Sequence, residues 1–260
     1  KMNDLADMFW VESRKAIRSR MPLWTALGSL LMPMGIAFLI FAARNPGISQ
    51  KLGLVSAKAN LVAYAATDWP AYLGLSGMTV AAGGFFLSVL AVSWVFGREF
   101  ADGTLKDMLA VPVQRASILL AKFIVVAIWS VVLAIVILTA GLITGAFIGL
   151  PGGSTGAILQ GSALVAIAAC LTIIVALPFA LVASVGRGYL LPLGVAILMV
   201  AMANVVVVAG WGDYFPWAVP ALYAQGESSL PPVSYWIVFF TGLAGMVATY
   251  LWWKYADQNR

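Results

Sequence analysis

The sequence predicts an all-α integral membrane protein with six transmembrane helices. Hydrophobic residues make up 62% of the chain, charged residues only 10%, and the mean hydropathy is +0.97. Soluble domains carry roughly 25% charged residues, so a chain this poor in charge uses the lipid bilayer as its solvent. The sequence contains no His and a single Cys, which excludes catalytic histidines, histidine metal sites and a disulfide framework.

Six apolar stretches are long enough to cross a bilayer, which takes about 20 residues. They are residues 23–43, 74–96, 118–150, 158–185, 190–211 and 235–253. The third exceeds one straight span, so we expect it to tilt or to overhang the membrane near Lys122. Residues 151–153, Pro-Gly-Gly, separate it from the fourth, and Pro178 is expected to kink the fourth.

Residues 1–22 precede the first span and predict an amphipathic helix on the membrane surface. Leu5, Met8 and Phe9 recur at helical spacing over residues 4–20. The charged residues are predicted on other faces: Glu12, Arg14, Lys15 and Arg18. A helix of this kind lies in the plane of the interface. It serves either as an anchor for the first span or as part of a docking surface.

Two longer connections lie on the side of the membrane opposite to the N-terminus. Residues 44–72 show mild helical character around residues 56–66. Residues 212–234 combine four prolines with several aromatic residues and are too apolar for a solvated loop. We expect the second connection to form short broken helices that pack on the spans, either as a structural lid or as a gate.

The distribution of positive charge predicts the orientation. Six spans place both termini on one side, and only three of the 15 Lys and Arg residues fall on the other side, namely Arg44, Lys51 and Lys58. The positive-inside rule therefore places both termini in the cytoplasm. Because the basic residues are spread over short loops, the net charge of +5 reflects topology and not nucleic-acid binding.

Several kinds of chemistry have no residues to perform them. Transport driven by ions needs ionisable groups at membrane depth, yet no charge occurs between Lys122 and Arg187. Asn204 is the strongly polar side chain near the middle of the fifth span; it forms either a helix–helix hydrogen bond or part of a pathway. No nucleophile has a base beside it, and no phosphate-binding glycine loop is present. Any ATP used must be bound by another chain.

The charged segment, residues 98–115 between the second and third spans, is the most polar part of the chain. Its charged residues are Arg98, Glu99, Asp102, Lys106, Asp107 and Arg115. Asp102 and Lys106 have the i,i+4 spacing of a helical ion pair. Thr104 can cap a turn, with Asp107 in a weak capping box, and Gly103 permits a bend.

One face of the charged segment is predicted to be apolar. The residues at helical spacing are Leu105, Met108, Leu109 and Pro112. Such a face suits either an interfacial helix that lies against lipid or a compact surface that seats in a groove of a partner protein.

At these residues the sequence resembles the ABC-2 type permease family, within its bacitracin and lantibiotic resistance-like branch. The family pattern is an acidic residue, Gly-Thr, a Leu-rich turn, Pro-x-Arg and a downstream Lys. The matching residues here are Glu99, Gly103, Thr104, Met108, Leu109, Pro112, Arg115 and Lys122. Met108 stands where Leu is commoner. With six spans and a surface helix at the start, the resemblance covers essentially the whole chain.

The resemblance implies the architecture of a type V ABC exporter in the cell membrane of a prokaryote. This chain would be the permease, with a cytoplasmic coupling helix between spans two and three. Two permease copies would pair as a homodimer or heterodimer above two ATP-binding subunits. No cofactor would bind to this chain, since ATP and Mg²⁺ would be used by the partner subunits. The implied coupling residues are Arg98, Glu99, Asp102, Gly103, Thr104, Leu105, Lys106, Met108, Leu109, Pro112 and Arg115.

By the same resemblance, spans two and five would line the pathway for an amphipathic or lipid-like cargo, such as a peptide antibiotic or drug. The pathway candidates are Phe85, Phe86, Val89, Met199, Met202 and Asn204. The alternatives are an ATP-independent secondary transporter or channel, a membrane anchor without transport, and an integral-membrane enzyme. Dependence on a separate ATPase distinguishes the permease from all of these.

Overall fold

Every regular element in the described part of the chain is helical. The computed structural model describes residues 2–44, 68–104, 108, 112–226 and 230–255, and no strand occurs among them. Six of the helices within these ranges are long and apolar enough to cross a membrane, as the sequence predicts. The predicted helical character around residues 56–66 falls outside the described residues.

The six candidate spans follow one another in chain order. Two of them are interrupted helices: a π-helical turn, Val80–Gly84, divides the second span, and a break at Pro178 divides the fourth. The helices are α1 (Met2–Arg18), α2 (Met21–Arg44), α3 (Trp69–Thr79), α4 (Phe85–Ala101), α5 (Arg115–Ile148), α6 (Thr155–Ala176), α7 (Phe179–Val185), α8 (Leu190–Val208), α9 (Val219–Gln225) and α10 (Pro232–Tyr255).

Helix α5 is the central element against which α1 and α2 pack. Its 34 residues extend over about 50 Å at 1.5 Å per residue, whereas the hydrocarbon core is about 30 Å thick. The helix is therefore longer than the apolar layer is thick, and the tilt or overhang expected near Lys122 stays a prediction. Helix α1 covers the first turns of α5 with Leu5, Met8 and Ala16.

Aromatic residues at the start of α3 fasten the far end of α5. Asp68 caps α3 by accepting a hydrogen bond from the backbone N–H of Ala71, at 3.0 Å. The buried Tyr72 hydroxyl donates to the carbonyl of Gly141 at 3.0 Å and lies 2.8 Å from the hydroxyl of Thr144. These bonds satisfy a polar group inside an apolar core and fix α3 against α5.

The helix breaks follow local sequence. Helix α5 ends at Gly149, whose φ of +66° is a left-handed conformation that favours glycine. Ser154 then caps α6 by accepting from the N–H of Ala157. Pro178 is the residue before α7, so the fourth span is interrupted where its ring is incompatible with continued helical hydrogen bonding.

Residues 212–226 form short helical pieces that pack on the spans. A 3₁₀ turn, Gly212–Tyr214, is followed by α9, which packs against α3 and α6. The indole N–H of Trp217 donates to the carbonyl of Val175 at 3.1 Å, which ties this connection to the fourth span. Residues 227–229 lie outside the described part.

Helix α8 is the most exposed of the six candidate spans. It packs on α4 and α7, yet Leu190 and Val208 are exposed and only Pro192, Ala196 and Ala203 are buried. A helix that is apolar on all faces and exposed in one chain contacts either lipid or another protein chain.

Packing at Gly145 provides a test of this arrangement. A Cβ atom at Gly145 would lie 2.8 Å from the buried ring of Trp69, whereas Gly156 is exposed and a Cβ there meets nothing within 4 Å. We expect Gly145→Ala to lower the free energy of unfolding by about 1–3 kcal/mol through overpacking. Gly156→Ala, which only improves helix propensity, should leave it unchanged or higher. Thermal unfolding of the detergent-solubilised chain compares the two; equal midpoints would contradict the α3–α5 contact.

Candidate functional site

Four charged side chains from three helices meet in a buried ion cluster. Helix α1 contributes Glu12 and Lys15, the end of α4 contributes Glu99, and the start of α5 contributes Lys122. The side chains are brought together across 110 residues of sequence between Glu12 and Lys122. We call these four residues the ion cluster.

Lys122 lies at the centre of the ion cluster and has no solvent-exposed surface. Its ammonium group donates to Glu99 Oε1 at 2.7 Å, to Glu12 Oε2 at 3.0 Å and to the carbonyl of Val95 at 2.9 Å. An ammonium has three donors, so these contacts satisfy all of its hydrogen-bonding capacity. The two carboxylates around the buried cation offset the free-energy cost of removing its charge from water.

Lys15 completes the charge balance from the partly exposed side. It donates to Glu12 Oε1 at 2.9 Å and to Glu99 Oε1 at 3.2 Å. The cluster therefore contains two cations and two carboxylates. Glu99 Oε2 is buried and has no hydrogen-bond partner among the described residues, so the network has one free acceptor.

The charges of the cluster shift the pKa values on α1. Burial alone would raise the pKa of Glu12, but the nearby ammonium groups of Lys122 and Lys15 outweigh it and hold the pKa below its ordinary value. Burial alone would lower the pKa of Lys15, yet Glu12 and Glu99 raise it above its ordinary value. Both groups on α1 are therefore charged at neutral pH.

Glu12 is predicted to lie on a face away from the apolar residues of α1, and this prediction is wrong. Met8, Glu12 and Ala16 share the buried face at four-residue spacing. Glu12 is buried because Lys122 lies opposite it on α5. The signal that was missed is a lone Lys seven residues into an apolar helix, which requires an acidic partner.

The charged segment begins directly after the ion cluster. Helix α4 ends at Ala101, and Asp102 accepts from the guanidinium Nε of Arg98 at 3.0 Å. Gly103 follows with a φ of +70°, so the chain bends there. The backbone N–H of Met108 donates to the carbonyl of Thr104 at 3.1 Å.

The segment presents some residues outward and anchors others. Asp102, Gly103, Thr104 and Pro112 are exposed, whereas Met108 is buried in the main core cluster. Residues 105–107 and 109–111 lie outside the described residues, so the predicted apolar face, the Asp102–Lys106 pair and the capping box remain predictions.

Both ends of the charged segment contact the end of α10. The guanidinium of Arg115 donates to the carbonyl of Trp253 at 2.7 Å and to that of Lys254 at 3.3 Å. A cation at the C-terminal end of a helix satisfies free carbonyls and favours the helix dipole. Phe100 packs edge-on against the ring of Trp253, with centroids 5.9 Å apart. The segment is thus fixed to the last span as well as to α4 and α5.

The predicted pathway residues do not form one site within a single chain. Phe85 and Val89 are buried in the core, and Phe85 packs against Phe179 of the fourth span at 5.5 Å. Phe86 and Met199 are partly buried against the same core. On α8, Met202 is exposed and the Asn204 amide donates to the carbonyl of Val200 in its own helix.

No metal site is formed in the part of the chain that the structure describes, where no three acidic or Cys side chains come close enough to hold an ion. The two carboxylates of the ion cluster are both bound to lysines. The arrangement is therefore a junction that joins α1, α4 and α5.

Comparison with known proteins decides the family. The model of the ABC-2 family transporter protein matches residues 8–204, most of the chain. The chain belongs to this family. The matched residues include most of α1, the ion cluster and the charged segment. This ABC-2 chain is accordingly a multi-pass membrane protein and a transmembrane permease subunit of an ABC transporter, a transport component that is not itself catalytic.

One curated relative of this ABC-2 chain is the bacitracin transport permease protein BCRB of Bacillus licheniformis. The two sequences are 27% identical over 169 residues, which cover 64% of this chain and 81% of the relative. No solved structure matches this ABC-2 chain.

Removing the central cation of the ion cluster should be strongly destabilising. Lys122→Met replaces the ammonium by a slightly shorter apolar side chain and leaves two buried carboxylates with only the partly exposed Lys15 as a counter-charge, which we expect to cost about 3–5 kcal/mol in the free energy of unfolding. The exposed Lys254→Met should leave the free energy of unfolding nearly unchanged. Thermal unfolding in detergent measures both, and similar midpoints for the two variants would disprove the buried network.

A triple variant separates the loss of charge balance from the loss of packing. Combining Lys122→Met with Glu12→Gln and Glu99→Gln removes both buried carboxylates and leaves only the partly exposed Lys15 without an ion partner, so much of the lost stability should be recovered. A triple variant no more stable than Lys122→Met alone would show that the unpaired carboxylates are not the cause of the loss.

The stability contributed by the cluster should depend on pH in a defined way. Glu12 has a lowered pKa, so its contribution is present above the ordinary Glu value of about 4.3 and is lost as the pH falls below it. Lys15 has a raised pKa, so its contribution is present below about 10.4 and is lost as the pH rises further. Unfolding midpoints should therefore form a plateau between these limits. Glu12→Gln should reduce the acid slope, and an unchanged slope would show that Glu12 does not contribute.

Proposed function

We propose that this chain is the permease of an ATP-driven ABC exporter in the cell membrane of a prokaryote, with both termini in the cytoplasm. Permeases of the ABC-2 family work with ATP-binding subunits, and this sequence has no nucleotide-binding motif of its own. Two permease copies would stand above two cytoplasmic ATP-binding subunits, which bind ATP and Mg²⁺. The positive-inside distribution supports this orientation.

One observation carries this proposal: the ion cluster lies immediately behind an exposed bend. Glu99 is three residues from Asp102, and Asp102, Gly103 and Thr104 face outward. A partner that seats on this bend would push on α4, and the buried contacts of Lys122 would pass the displacement to α5 and α1. Because packed interiors resist compression, three helices would move together and the bend would act as the coupling element.

The rest of the charged segment is suited to the same role. Arg115 and Phe100 connect it to the end of α10. A displacement of the segment would therefore also move the last span. The predicted apolar face at Leu105 and Leu109 would lie in the groove of the ATPase, as in a helix bound to a hydrophobic groove.

Helix α1 is proposed to lie on the cytoplasmic surface of the membrane. Its buried face packs on α5, while Trp10 and Ile17 are exposed. Exposed aromatic and aliphatic groups beside Arg14 and Arg18 are typical of interfacial helices. This placement puts the basic residues of α1 at the level of the lipid headgroups.

The proposed cargo is an amphipathic or lipid-like molecule, such as a peptide antibiotic. The relative from Bacillus licheniformis carries bacitracin transport in its name, which supports a role in antibiotic resistance here. The absence of charge between Lys122 and Arg187 suits an apolar cargo. Export is proposed from the family resemblance.

The pathway would be formed between two permease copies. Helix α8 leaves an apolar surface with Met202 and Asn204 exposed, and small residues across the spans would permit close approach of a second copy. In this arrangement the exposed candidates on α8 would face the partner chain, while Phe85 and Val89 would support them from the core.

Alanine substitutions at two glycines with similar left-handed backbone conformations provide a test of the coupling role. Gly103 and Gly149 have φ of +70° and +66°, and a Cβ at either meets nothing within 4 Å. Alanine should therefore cost the fold a similar amount at both positions, on the order of 1 kcal/mol. We expect Gly103→Ala to reduce co-purification of the ATP-binding subunit and the ATP hydrolysis of the complex, and Gly149→Ala to leave both at wild-type levels. The ATPase is co-expressed and captured through a tag on this chain.

A second variant keeps the test independent of backbone strain. Leu109→Asp places a charge on the predicted apolar face and should abolish capture of the ATPase without preventing membrane insertion. Normal capture by both Gly103→Ala and Leu109→Asp would overturn the coupling role. If wild-type chain captures no ATPase, an ATP-independent channel or a membrane anchor becomes the better account.

A further inference from the structure

A basic cavity lies between α1 and the end of α4. Its volume is about 300 Å³, and its lining includes four cationic side chains and no acidic one. They are Arg14, Lys15, Arg18 and Arg98. Three of the four come from α1 and one comes from the end of α4, so the cavity depends on the junction that the ion cluster holds in place.

The positive charge of the cavity is only partly compensated. Glu12 and Glu99 are balanced by the two lysines of the ion cluster, and Asp102 is balanced by Arg98. Arg14 stacks on the ring of Trp10 at 4.7 Å. Arg18 makes no ion pair within the described residues, so the cavity retains an excess of two positive charges.

Arg98 contributes a guanidinium group to the lining of the cavity. Its Nε binds Asp102, and its Nη1 is buried and has no hydrogen-bond partner among the described residues. An anion with several oxygens, such as a phosphate, can accept hydrogen bonds from several guanidinium groups together.

We propose that this cavity binds the phosphate group of an anionic membrane lipid. The reason to favour a lipid is its position: α1 ends at Arg18 and the first span begins at Met21, so the cavity is close to where the chain enters the membrane. Trp10 lines the cavity and is 59% exposed, as expected of an aromatic ring at the headgroup level. Basic residues next to the cytoplasmic end of a span attract anionic lipids.

The inference rests on the proposed placement of α1 at the cytoplasmic surface, but not on ATPase docking. A bound lipid would have a defined effect, because it would connect α1 to Arg98 at the start of the charged segment. The lipid composition of the membrane would then influence the position of the coupling bend.

Native mass spectrometry of the detergent-solubilised full chain can measure this binding without the ATPase. Phosphatidylglycerol is titrated against phosphatidylcholine, and the fraction of chain with one bound lipid gives each affinity. We expect one saturable phosphatidylglycerol site per chain, bound about tenfold more tightly than phosphatidylcholine. The exposed pair Arg14→Gln and Arg18→Gln should lower the phosphatidylglycerol affinity by about tenfold and leave that for phosphatidylcholine unchanged.

Two further variants separate the site from general charge effects. Arg98→Lys keeps the charge but lacks the forked guanidinium donors, and it should also weaken phosphatidylglycerol binding. Lys254→Gln removes one exposed charge that does not line the cavity and should have no effect. Because Arg14 and Arg18 are exposed, unfolding midpoints of the double variant should equal those of the wild type, which verifies that the fold is intact.

Three outcomes would overturn the proposal. Equal affinity of wild type and the double variant for phosphatidylglycerol would show that the cavity is not the site. Binding of glycerol 3-phosphate as tightly as of phosphatidylglycerol would assign the cavity to a soluble phosphate. No preference for phosphatidylglycerol, together with loss of ATPase capture in the double variant, would assign it to protein docking. Failure of ATPase capture in the wild type would affect the coupling role alone.

Discussion

The junction of α1, α4 and α5 depends on a single ammonium group that is sealed from water. Lys122 is stable in this place because Glu12, Glu99 and a carbonyl of α4 use all three of its donors. The two carboxylates are buried as well, so each of them also needs the cation as a partner. None of the three helices can move away from the junction without leaving an unpaired charge in an apolar environment. Apolar contacts of the same area would hold these helices together but would not fix their register so narrowly.

The exposed bend and the basic cavity are both positioned by this junction. The exposed bend at Asp102–Thr104 follows Glu99 within about one and a half turns, and the basic cavity lies between α1 and Arg98. Arg115 extends the same arrangement to the end of α10 by binding its terminal carbonyls. The proposed coupling surface and the proposed lipid site are therefore parts of one connected structure. Disturbing the charge network should change both, whereas disturbing the Tyr72 contacts at the other end of α5 should change neither.

Composition and hydropathy were sufficient to predict the class and number of spans, because a bilayer requires long apolar helices wherever the chain crosses it. Local residues predicted the break at Pro178 and a break at residues 151–153, whereas α5 ends slightly earlier, at Ile148 before Gly149. The ion cluster could not be derived in this way: Glu12 and Lys122 are 110 residues apart, and each taken alone resembles a surface charge. Only the packing of α1 on α5 determines that they meet. The pathway residues stay predictions, since the proposed pathway would form between two copies and α8 is exposed in one.

The π-helical turn Val80–Gly84 in the second span has a consequence for Glu99. A π turn contains more residues than an α turn, so α4 is rotated about the common axis relative to α3. Helix α3 packs mainly on α6 and α9, whereas α4 packs mainly on α5, α7 and α8, and both also contact α5 and α6. Each residue contributes about 100° of rotation in an α-helix. The direction in which the Glu99 side chain points from α4 is thus determined about four turns earlier in the span. The stretch that determines it is rich in glycine and carries no charge. It also marks where the second span changes its main packing partners.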